Sequence, residues 1–242
     1  MTRTVLVTGG TSGIGRAIAE RFAADGEEVL ITGRNPEAVE RVAKEIGMRG
    51  GVRGVVCDAT SVEQVEALAA RLGDLDVLVN AAGGLPEPAS GDPSTLAAQL
   101  AQWQSSLAQN LLTAVLTTVA VQSRLTGDGC VINIGSIGAE RRGGSYGAAK
   151  AALAAWNASL SAELAPKGVT CNVISAGFVT GTDFFRGNLS EERHRALVEE
   201  THNKRPGTVD DIARTAYFLA SPGARHITGQ TIHVNGGAFT TR

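Results

Sequence analysis

Short apolar runs rich in Val, Ile and Leu alternate along the chain with longer stretches of helical pattern. The runs that predict strands are 4–8, 28–33, 53–58, 76–80, 130–136, 169–175 and 230–237. The stretches that predict helices are 14–26, 36–46, 62–72, a long region ending near Arg124, 145–165 and 209–220. Such alternation is typical of a parallel sheet with helices on both faces. We therefore expect an α/β fold, a doubly wound seven-stranded parallel sheet, in one domain spanning residues 1–242.

Two segments interrupt this alternation. A loop with Pro86, Pro88 and Pro93 follows the fourth strand, and residues 182–203 are polar with a partly helical pattern. Doubly wound sheets bind ligands where the carboxyl ends of the strands meet the following loops. We therefore expect ligands to bind at this end of the sheet.

A glycine loop lies between the first strand and the first helix. Gly9 permits a tight exit from the strand, Gly13 lets the backbone approach a diphosphate, and Gly15 allows close helix packing. The helix N-terminus directs N–H groups and a partial positive charge at the phosphates. The predicted contacts of this loop are Gly9, Thr11, Ser12, Gly13, Ile14 and Gly15. An ordinary turn is the alternative, but the position is typical of a Rossmann dinucleotide-binding domain.

The end of the second strand distinguishes the two nicotinamide nucleotides. A carboxylate there binds the adenosine ribose of NAD and repels a 2′-phosphate. This chain has Gly33 followed by Arg34, whose guanidinium can pair bidentately with a phosphate. Asn35 can add a hydrogen bond. We expect NADP(H) to be preferred over NAD(H), with a solvated strand-end arginine as the alternative.

Polar and small residues also follow the third and fourth strands. Asp58, with Ala59 beside it, can accept a hydrogen bond from the adenine amino group. Asn80, Ala82 and Gly83 end the fourth strand with small residues that let a cofactor lie against the backbone. Both segments are also compatible with plain turns.

Tyr146 and Lys150 begin a long predicted helix, and their i, i+4 spacing places both side chains on one face. A phenol is a poor base at neutral pH, and a nearby ammonium can lower its pKa. Ser136 ends the fifth strand, where its hydroxyl can orient a carbonyl oxygen. Tyr146 would then donate a proton as hydride arrives, or accept one in the reverse direction.

Taken together, these motifs resemble the short-chain dehydrogenase/reductase family over nearly all of the chain. The matching residues are TGGTSGIG at 8–15, NAAG at 80–83, Asn110, Ser136, YGAAK at 146–150 and the tail at 205–237. The resemblance implies that Tyr146 is the acid/base, that Lys150 lowers its pKa and binds the ribose, and that Ser136 positions the carbonyl. It also implies that Asn110, in the long fourth helix, holds a water of a proton relay.

The chain departs from the family pattern after the sixth strand, where Ala176-Gly177 replaces the usual Pro-Gly. The following run, FVTGTDFF at 178–185, is one residue longer than the commonest form. The resemblance implies that this segment contacts the nicotinamide amide, so Gly177 and Val179 are expected cofactor contacts. It also implies that the segment begins a substrate lid near 182–203.

A second departure is the loop 137–145, which is about three residues shorter than in many relatives. Its Arg141 and Arg142 face either an acidic substrate or water, and we favour water. The family is commonly homotetrameric, and the helix 145–165 carries more apolar surface than one sheet face needs. A homo-oligomer, tetramer or dimer, is therefore expected.

The composition of the chain limits the classes of binding partner that we expect. The formal charge is −2, so nothing favours nucleic acid, and no apolar run reaches membrane-spanning length. With 43% hydrophobic but only 4% aromatic residues, the core is expected to be aliphatic. The three cysteines, Cys57, Cys130 and Cys171, lack metal-ligand spacing and are expected to be buried thiols. No metal site and no signal peptide are predicted, and a cytoplasmic location is expected.

The sequence thus predicts an NADP(H)-dependent oxidoreductase that moves a hydride between nicotinamide and a ketone or secondary alcohol, a small-molecule substrate. A β-ketoacyl carrier-protein reductase is one such member of the family. The alternatives are a non-catalytic NADP-binding sensor or scaffold, and an epimerase or dehydratase that uses the same four residues. A sensor has no need for all four.

Overall fold

The computed structural model describes residues 2–48, 51–86, 92–141 and 143–241. The strands are β1 Thr4–Thr8, β2 Glu28–Gly33, β3 Val52–Val56, β4 Leu75–Asn80, β5 Leu125–Ser136, β6 Thr170–Ala176, β7 Val179–Thr180, β8 Gly207–Thr208 and β9 Thr231–Val234. The α-helices are α1 Gly13–Ala24, α2 Pro36–Gly47, α3 Val62–Ala69, α4 Leu96–Leu107, α5 Thr113–Val121, α6 Gly144–Leu164, α7 Glu191–Glu199 and α8 Val209–Leu219.

Seven strands form one parallel sheet in the order β3-β2-β1-β4-β5-β6-β9. The predicted fold class is therefore confirmed. The chain runs outwards from β1 in one direction to β3 and then returns to the other side at β4. This reversal opens a crevice at the carboxyl ends of β1 and β4, which is where doubly wound sheets bind ligands.

Aliphatic side chains fill both faces of the sheet. Ile18 and Phe22 of α1 are fully buried on one face, and Leu68 of α3 and Leu160 of α6 are buried on the other. The three cysteines are free thiols and are buried, as expected: Cys57, Cys130 and Cys171. Among the described residues, no helix has both the length and the apolarity to cross a membrane.

Two helices begin at residues whose side chains cap them. The Asn35 side chain accepts a hydrogen bond from the backbone N–H of Ala38 at 2.9 Å and so caps α2. Thr208 and Asp211 form a reciprocal capping box at the start of α8. Capping of this kind satisfies N–H groups that the helix itself leaves without partners.

The fifth strand begins at Leu125, five residues before the predicted start. The intervening Thr-Gly-Asp-Gly is typical of a turn, which is why the sequence predicted a later beginning. Leu125 is nevertheless buried and pairs with Leu75 across a register shift. Burial of that leucine and the tertiary pairing outweigh the local preference of the four residues.

The predicted lid segment is partly helical, as expected, and within 182–203 only α7 is an α-helix. Gly181, Arg186 and Gly187 have positive φ angles, which stop a helix before Ser190 caps α7. A parallel pair of two-residue strands, β7 and β8, brackets the segment. The sequence did not predict this pair, because two residues carry no periodicity.

Candidate active site

A cleft of about 430 Å³ opens at the carboxyl ends of the strands. The structure brings most of the residues predicted from the sequence to its walls. Those residues are Gly9, Thr11, Ser12, Gly13, Ile14, Gly15, Arg34, Asp58, Ala59, Ala82, Gly83, Ser136, Tyr146, Lys150, Gly177 and Val179. Of the predicted site residues, Asn35, Asn80 and Asn110 are not among the described residues that line it.

The glycine loop is packed tightly against the end of β4. A Cβ at Gly9, whose φ is +65°, would lie 2.9 Å from the Cα of Ala82, and one at Gly15 would overlap the Gly9 carbonyl oxygen. The side chain of Ser12, at the N-cap of α1, makes no capping hydrogen bond. The first turn of α1 therefore leaves N–H groups available on the cleft side, where an anion can accept from them.

The far end of the cleft has no room for a side chain at Gly33. A Cβ there would lie 2.7 Å from Cγ2 and 3.1 Å from Oγ1 of Thr11. Arg34 follows at the cleft wall, and its charge contributes to a lowered pKa of Asp58, although hydrogen bonds from Thr60 are the larger cause. This end of the cleft thus has the Arg34 guanidinium next to Gly33, a residue without a side chain.

The Asn80 side chain has a structural role, and the contact of this residue with the cofactor stays a prediction. Its Nδ2 donates to the hydroxyl of Thr118 and to Oδ1 of Asn133, both at 2.9 Å. Asn133 in turn donates to Oδ1 of Asn157 at 3.0 Å. This buried ladder ties β4 to α5, β5 and α6. Asn35 likewise uses its side chain to cap α2.

Three chemically reactive residues meet at the other end of the cleft. Ser136 ends β5, and Tyr146 and Lys150 lie on the first turns of α6. Lys150 is 5% exposed, and its Nζ donates to the carbonyl oxygen of Ile134 at 2.8 Å. The ammonium lies 5.9 Å from the centre of the Tyr146 ring.

Burial moves the two pKa values in opposite directions. It raises the pKa of Tyr146 to about 12, and a hydrogen bond with Ser136 opposes part of that rise. It lowers the pKa of Lys150 to about 8. The sequence predicted that Lys150 would bring the Tyr146 pKa down. In the protein chain alone, loss of solvent around the phenol moves its pKa upwards, and the Lys150 ammonium donates to the Ile134 carbonyl oxygen. The influence of Lys150 on the Tyr146 pKa therefore stays a prediction.

Asn110 lies in a π-helical turn, Ala108–Leu112, that interrupts the long helix between α4 and α5. Its Oδ1 accepts from the N–H of Gly84, and its Nδ2 donates to the carbonyl oxygens of Gly84 and Ser106. A Cβ at Gly83 would lie 2.7 Å from this Oδ1 and 3.4 Å from Nζ of Lys150. Asn110 therefore holds the loop after β4 beside the lysine. Such π-turns occur frequently at functional sites.

Sequence reasoning missed the aromatic wall of the cleft, formed by Phe178, Phe184 and Phe185. The Phe184 ring packs edge-on against Tyr146, with centroids 5.4 Å apart. The signal was present: these are three of only six phenylalanines in the chain, and they lie within eight residues. The unusual length of the run 178–185 drew attention to this segment, whereas its high content of phenylalanine did not.

The basic loop before α6 faces the surface. Arg141 forms an ion pair with Glu200 at the end of α7. Arg142, together with Pro88 of the earlier loop, lies outside the described residues. Among the described residues no group of three or more His, Cys, Asp and Glu side chains could hold a metal ion.

Comparisons with known proteins agree with this geometry. A family model described as enoyl-(acyl carrier protein) reductase matches residues 9–239. The 3-oxoacyl-[acyl-carrier-protein] reductase FabG of Escherichia coli (strain K12) is 36% identical over 244 residues, covering 98% of this chain and 97% of that protein. A dehydrogenase/reductase from Sinorhizobium meliloti 1021 superposes with a TM-score of 0.89 at 31% identity, covering 99% of this chain and 96% of the other.

A second solved structure bears on the cofactor. A blue fluorescent protein from a metagenomic library, solved in complex with NADPH, superposes with a TM-score of 0.86 at 31% identity. It covers 98% of this chain, and 98% of that chain is covered in return.

Proposed function

We propose that this chain, which belongs to the short-chain dehydrogenase/reductase family, reduces a ketone to a secondary alcohol with NADPH, or runs the reverse reaction, with Tyr146 as the acid/base. Membership makes it an NAD(P)-dependent oxidoreductase that acts on CH–OH groups. The observation that carries the proposal is the meeting of Ser136, Tyr146 and Lys150 in the cleft that the glycine loop also lines.

The residues of the cleft fit a nicotinamide dinucleotide. The packed glycines leave no side chain where a diphosphate would approach, and α1 has an N-terminus without a side-chain cap. When bound, the reduced nicotinamide supplies a hydride, two electrons and a proton nucleus, to the carbonyl carbon. The chain has to provide the second proton and hold the carbonyl oxygen.

Tyr146 is suited to provide that proton. With a pKa of about 12 its phenol is fully protonated at neutral pH, so it can give its Oη proton to the oxygen of the forming alkoxide, a stronger base. Ser136 hydrogen-bonds the phenol and can orient the same oxygen. Lys150, with a pKa of about 8, can stabilise the resulting phenolate and return a proton to it.

The preference for NADP(H) rests on Gly33 and Arg34. Gly33 leaves this position without the carboxylate that usually binds an unphosphorylated ribose, and a Cβ there would press on the Thr11 side chain. Arg34 supplies the positive charge that a 2′-phosphate requires. The NADPH complex of the blue fluorescent protein is consistent with this assignment.

The test of the acid/base role is Tyr146→Phe. We expect it to bind NADPH with nearly unchanged affinity and to lose at least about 100-fold in kcat with any ketone that the wild type reduces. Tyr217, the other tyrosine of the chain, packs on Phe22 away from the cleft, so Tyr217→Phe is the matched control. Near-normal turnover by Tyr146→Phe would overturn the assignment, and tight NADPH binding without consumption by any ketone would favour a sensor.

The cofactor preference is tested with Arg34→Ala. Removing the guanidinium deletes one or two charge-assisted hydrogen bonds to a 2′-phosphate and nothing that NADH uses. We expect the ratio of kcat/KM for NADPH to that for NADH to fall about 10- to 100-fold. Arg53→Ala, which removes an exposed arginine on the neighbouring strand β3, is the control and should leave the ratio unchanged. An unchanged ratio in Arg34→Ala would place the discrimination elsewhere.

A further inference from the structure

Aromatic side chains are concentrated at one place in this otherwise aliphatic protein. The chain contains six phenylalanines, and Phe178, Phe184 and Phe185 all line the cleft at the start of the lid segment. Across the cleft mouth from them lies Leu85 of the loop after β4. The cleft wall next to the Tyr146 phenol therefore includes three phenylalanine rings.

The rings form a continuous series that begins at Tyr146. Phe184 packs on Tyr146 with an interplanar angle of 63°, and Phe185 packs on Phe184 with centroids 5.1 Å apart at 88°. Phe178 packs on Phe185 at 6.1 Å, and His194 of α7 closes the series on Phe178 at 5.2 Å. These edge-to-face arrangements are the ones that aromatic pairs prefer. The orientation of Phe184 beside the reacting hydroxyl is thus set by its neighbours on both sides.

Phe184 is only partly buried by this packing. Since it also lines the cleft, part of its surface remains for a ligand. A substituent on a carbonyl carbon held by Ser136 and Tyr146 would lie against that surface.

The charges at this end of the cleft do not favour an ionic substrate. The described charged residues of the lid that line it are Asp183 and Arg186, which are of opposite sign and exposed. The guanidinium of Arg186 is turned across the mouth and donates to the carbonyl oxygen of Leu85 at 2.6 Å. The Lys150 ammonium at this end is buried and already donates to the carbonyl oxygen of Ile134. An anionic substituent would therefore lose its hydration against the phenyl rings.

From this geometry we infer that the substrate is a ketone that carries a flat, uncharged aryl group, and that Phe184 recognises that group by ring-on-ring contact. The inference rests on the proposed function and narrows it to a substrate class. A saturated ring of similar size would fill the same space, but it would not make the aromatic contact.

The test compares acetophenone with cyclohexyl methyl ketone, which share the methyl ketone and differ in the ring. Intrinsic reactivity differs between the two, so the informative quantity is the change in their kcat/KM ratio between proteins. We expect Phe184→Leu to lower the acetophenone preference about threefold to tenfold, and Phe185→Leu to lower it less. Phe218→Leu, which removes a half-exposed ring on α8 outside the cleft, should leave the ratio unchanged.

Binding provides a readout that does not depend on turnover. Acetophenone titrated into the Tyr146→Phe protein loaded with NADPH should bind several-fold more weakly when Phe184→Leu is added, and thermal unfolding of each variant checks that it is folded. The inference would be overturned if neither the Kd for acetophenone nor the kcat/KM ratio changed in the Phe184→Leu variant.

The two proposals fail differently. If ketones are reduced but the aryl preference does not respond to Phe184, only the substrate class is wrong. If NADPH binds and no ketone is reduced, the proposed function is wrong, and the acetophenone titration still decides whether Phe184 recognises an aryl group.

Discussion

Tyr146 and Lys150 share a dry site, and at the scale of single residues this burial controls their protonation. Both side chains lose solvent, which destabilises the charged form of each. The charged form of the phenol is the deprotonated one, whereas the charged form of the lysine is the protonated one. The same environment therefore keeps the acid protonated and makes the lysine ready to release a proton. Desolvation alone thus moves both pKa values in the directions that the proposed proton transfer needs.

The lysine also makes stability depend on pH. An unfolded lysine stays protonated up to a pKa near 10.5, whereas the pKa of Lys150 in the folded chain is about 8. Between these values the unfolded state binds more protons, so the free energy of unfolding rises with pH, by up to about 3 kcal/mol over the whole window. Tyr146, whose pKa is raised, opposes this only above pH 10.

We expect Lys150→Met to abolish that rise between pH 8 and 10. Urea unfolding of the cofactor-free protein at several pH values measures it, with Lys44→Met on the exposed side of α2 as the control. Parallel pH dependence in wild type and Lys150→Met would show that the lysine is not desolvated as described.

At the scale of elements, the short loop between β5 and α6 positions the catalytic residues through backbone contact. A Cβ at Gly147, the residue after Tyr146, would overlap the carbonyl oxygen of Gly138, as would one at Gly143. Gly138 itself donates its N–H to the hydroxyl of Ser136 at 3.0 Å. The start of α6 and the end of β5 therefore touch directly, and this contact sets the distance between Ser136 and Tyr146.

Gly147→Ala tests that contact. Alanine favours a helix by about 1 kcal/mol over glycine, but the collision with Gly138 should cost more, about 1–3 kcal/mol. We expect a protein that is less stable by up to about 2 kcal/mol and turns over at least tenfold more slowly, because displacing Tyr146 spoils its alignment. Gly47→Ala in α2, where a Cβ meets only ordinary contacts, should be neutral or stabilising with full activity. Full activity in Gly147→Ala would mean that α6 can shift without consequence.

The sequence predicted helix and strand boundaries correctly where they depend on interactions between residues close together in the chain. Asn35 and Thr208 begin their helices as predicted because a cap needs only the next three residues. The π-turn around Asn110 was not predicted, since it depends on hydrogen bonds to Gly84, which is 26 residues away. The early start of β5 has a similar origin, because it depends on pairing with Leu75.

At the scale of the whole molecule, α4 presents an apolar stripe to solvent. Leu96, Leu100 and Trp103 are 88%, 60% and 44% exposed and recur at i, i+4 and i+7, so they lie on one face of the helix. Exposed apolar surface of this kind is typical of a protein interface. We expect a second copy of the chain to cover it in a dimer or tetramer.

Leu100→Glu places a charge in the middle of that stripe. Sedimentation velocity should show wild-type protein as an oligomer and the variant shifted towards monomer, because an unpaired carboxylate is costly to bury. Met48→Glu, at a more exposed position that follows α2, is the control and should keep the wild-type assembly. A monomeric wild type would contradict this prediction, as would an oligomer that Leu100→Glu leaves intact.

The amino-acid sequence alone determined the alternating strands and helices, the glycine loop, and the spacing that places Tyr146 and Lys150 on one helix face. Each of these depends on residues that are close together in the chain. The tertiary structure decided the hydrogen-bond partners of Asn80 and Asn110, the direction in which the Tyr146 pKa moves, and the aromatic wall beside Tyr146. Those properties depend on which distant elements pack together and exclude water, because burial and hydrogen-bond partners are set by packing and not by spacing along the chain.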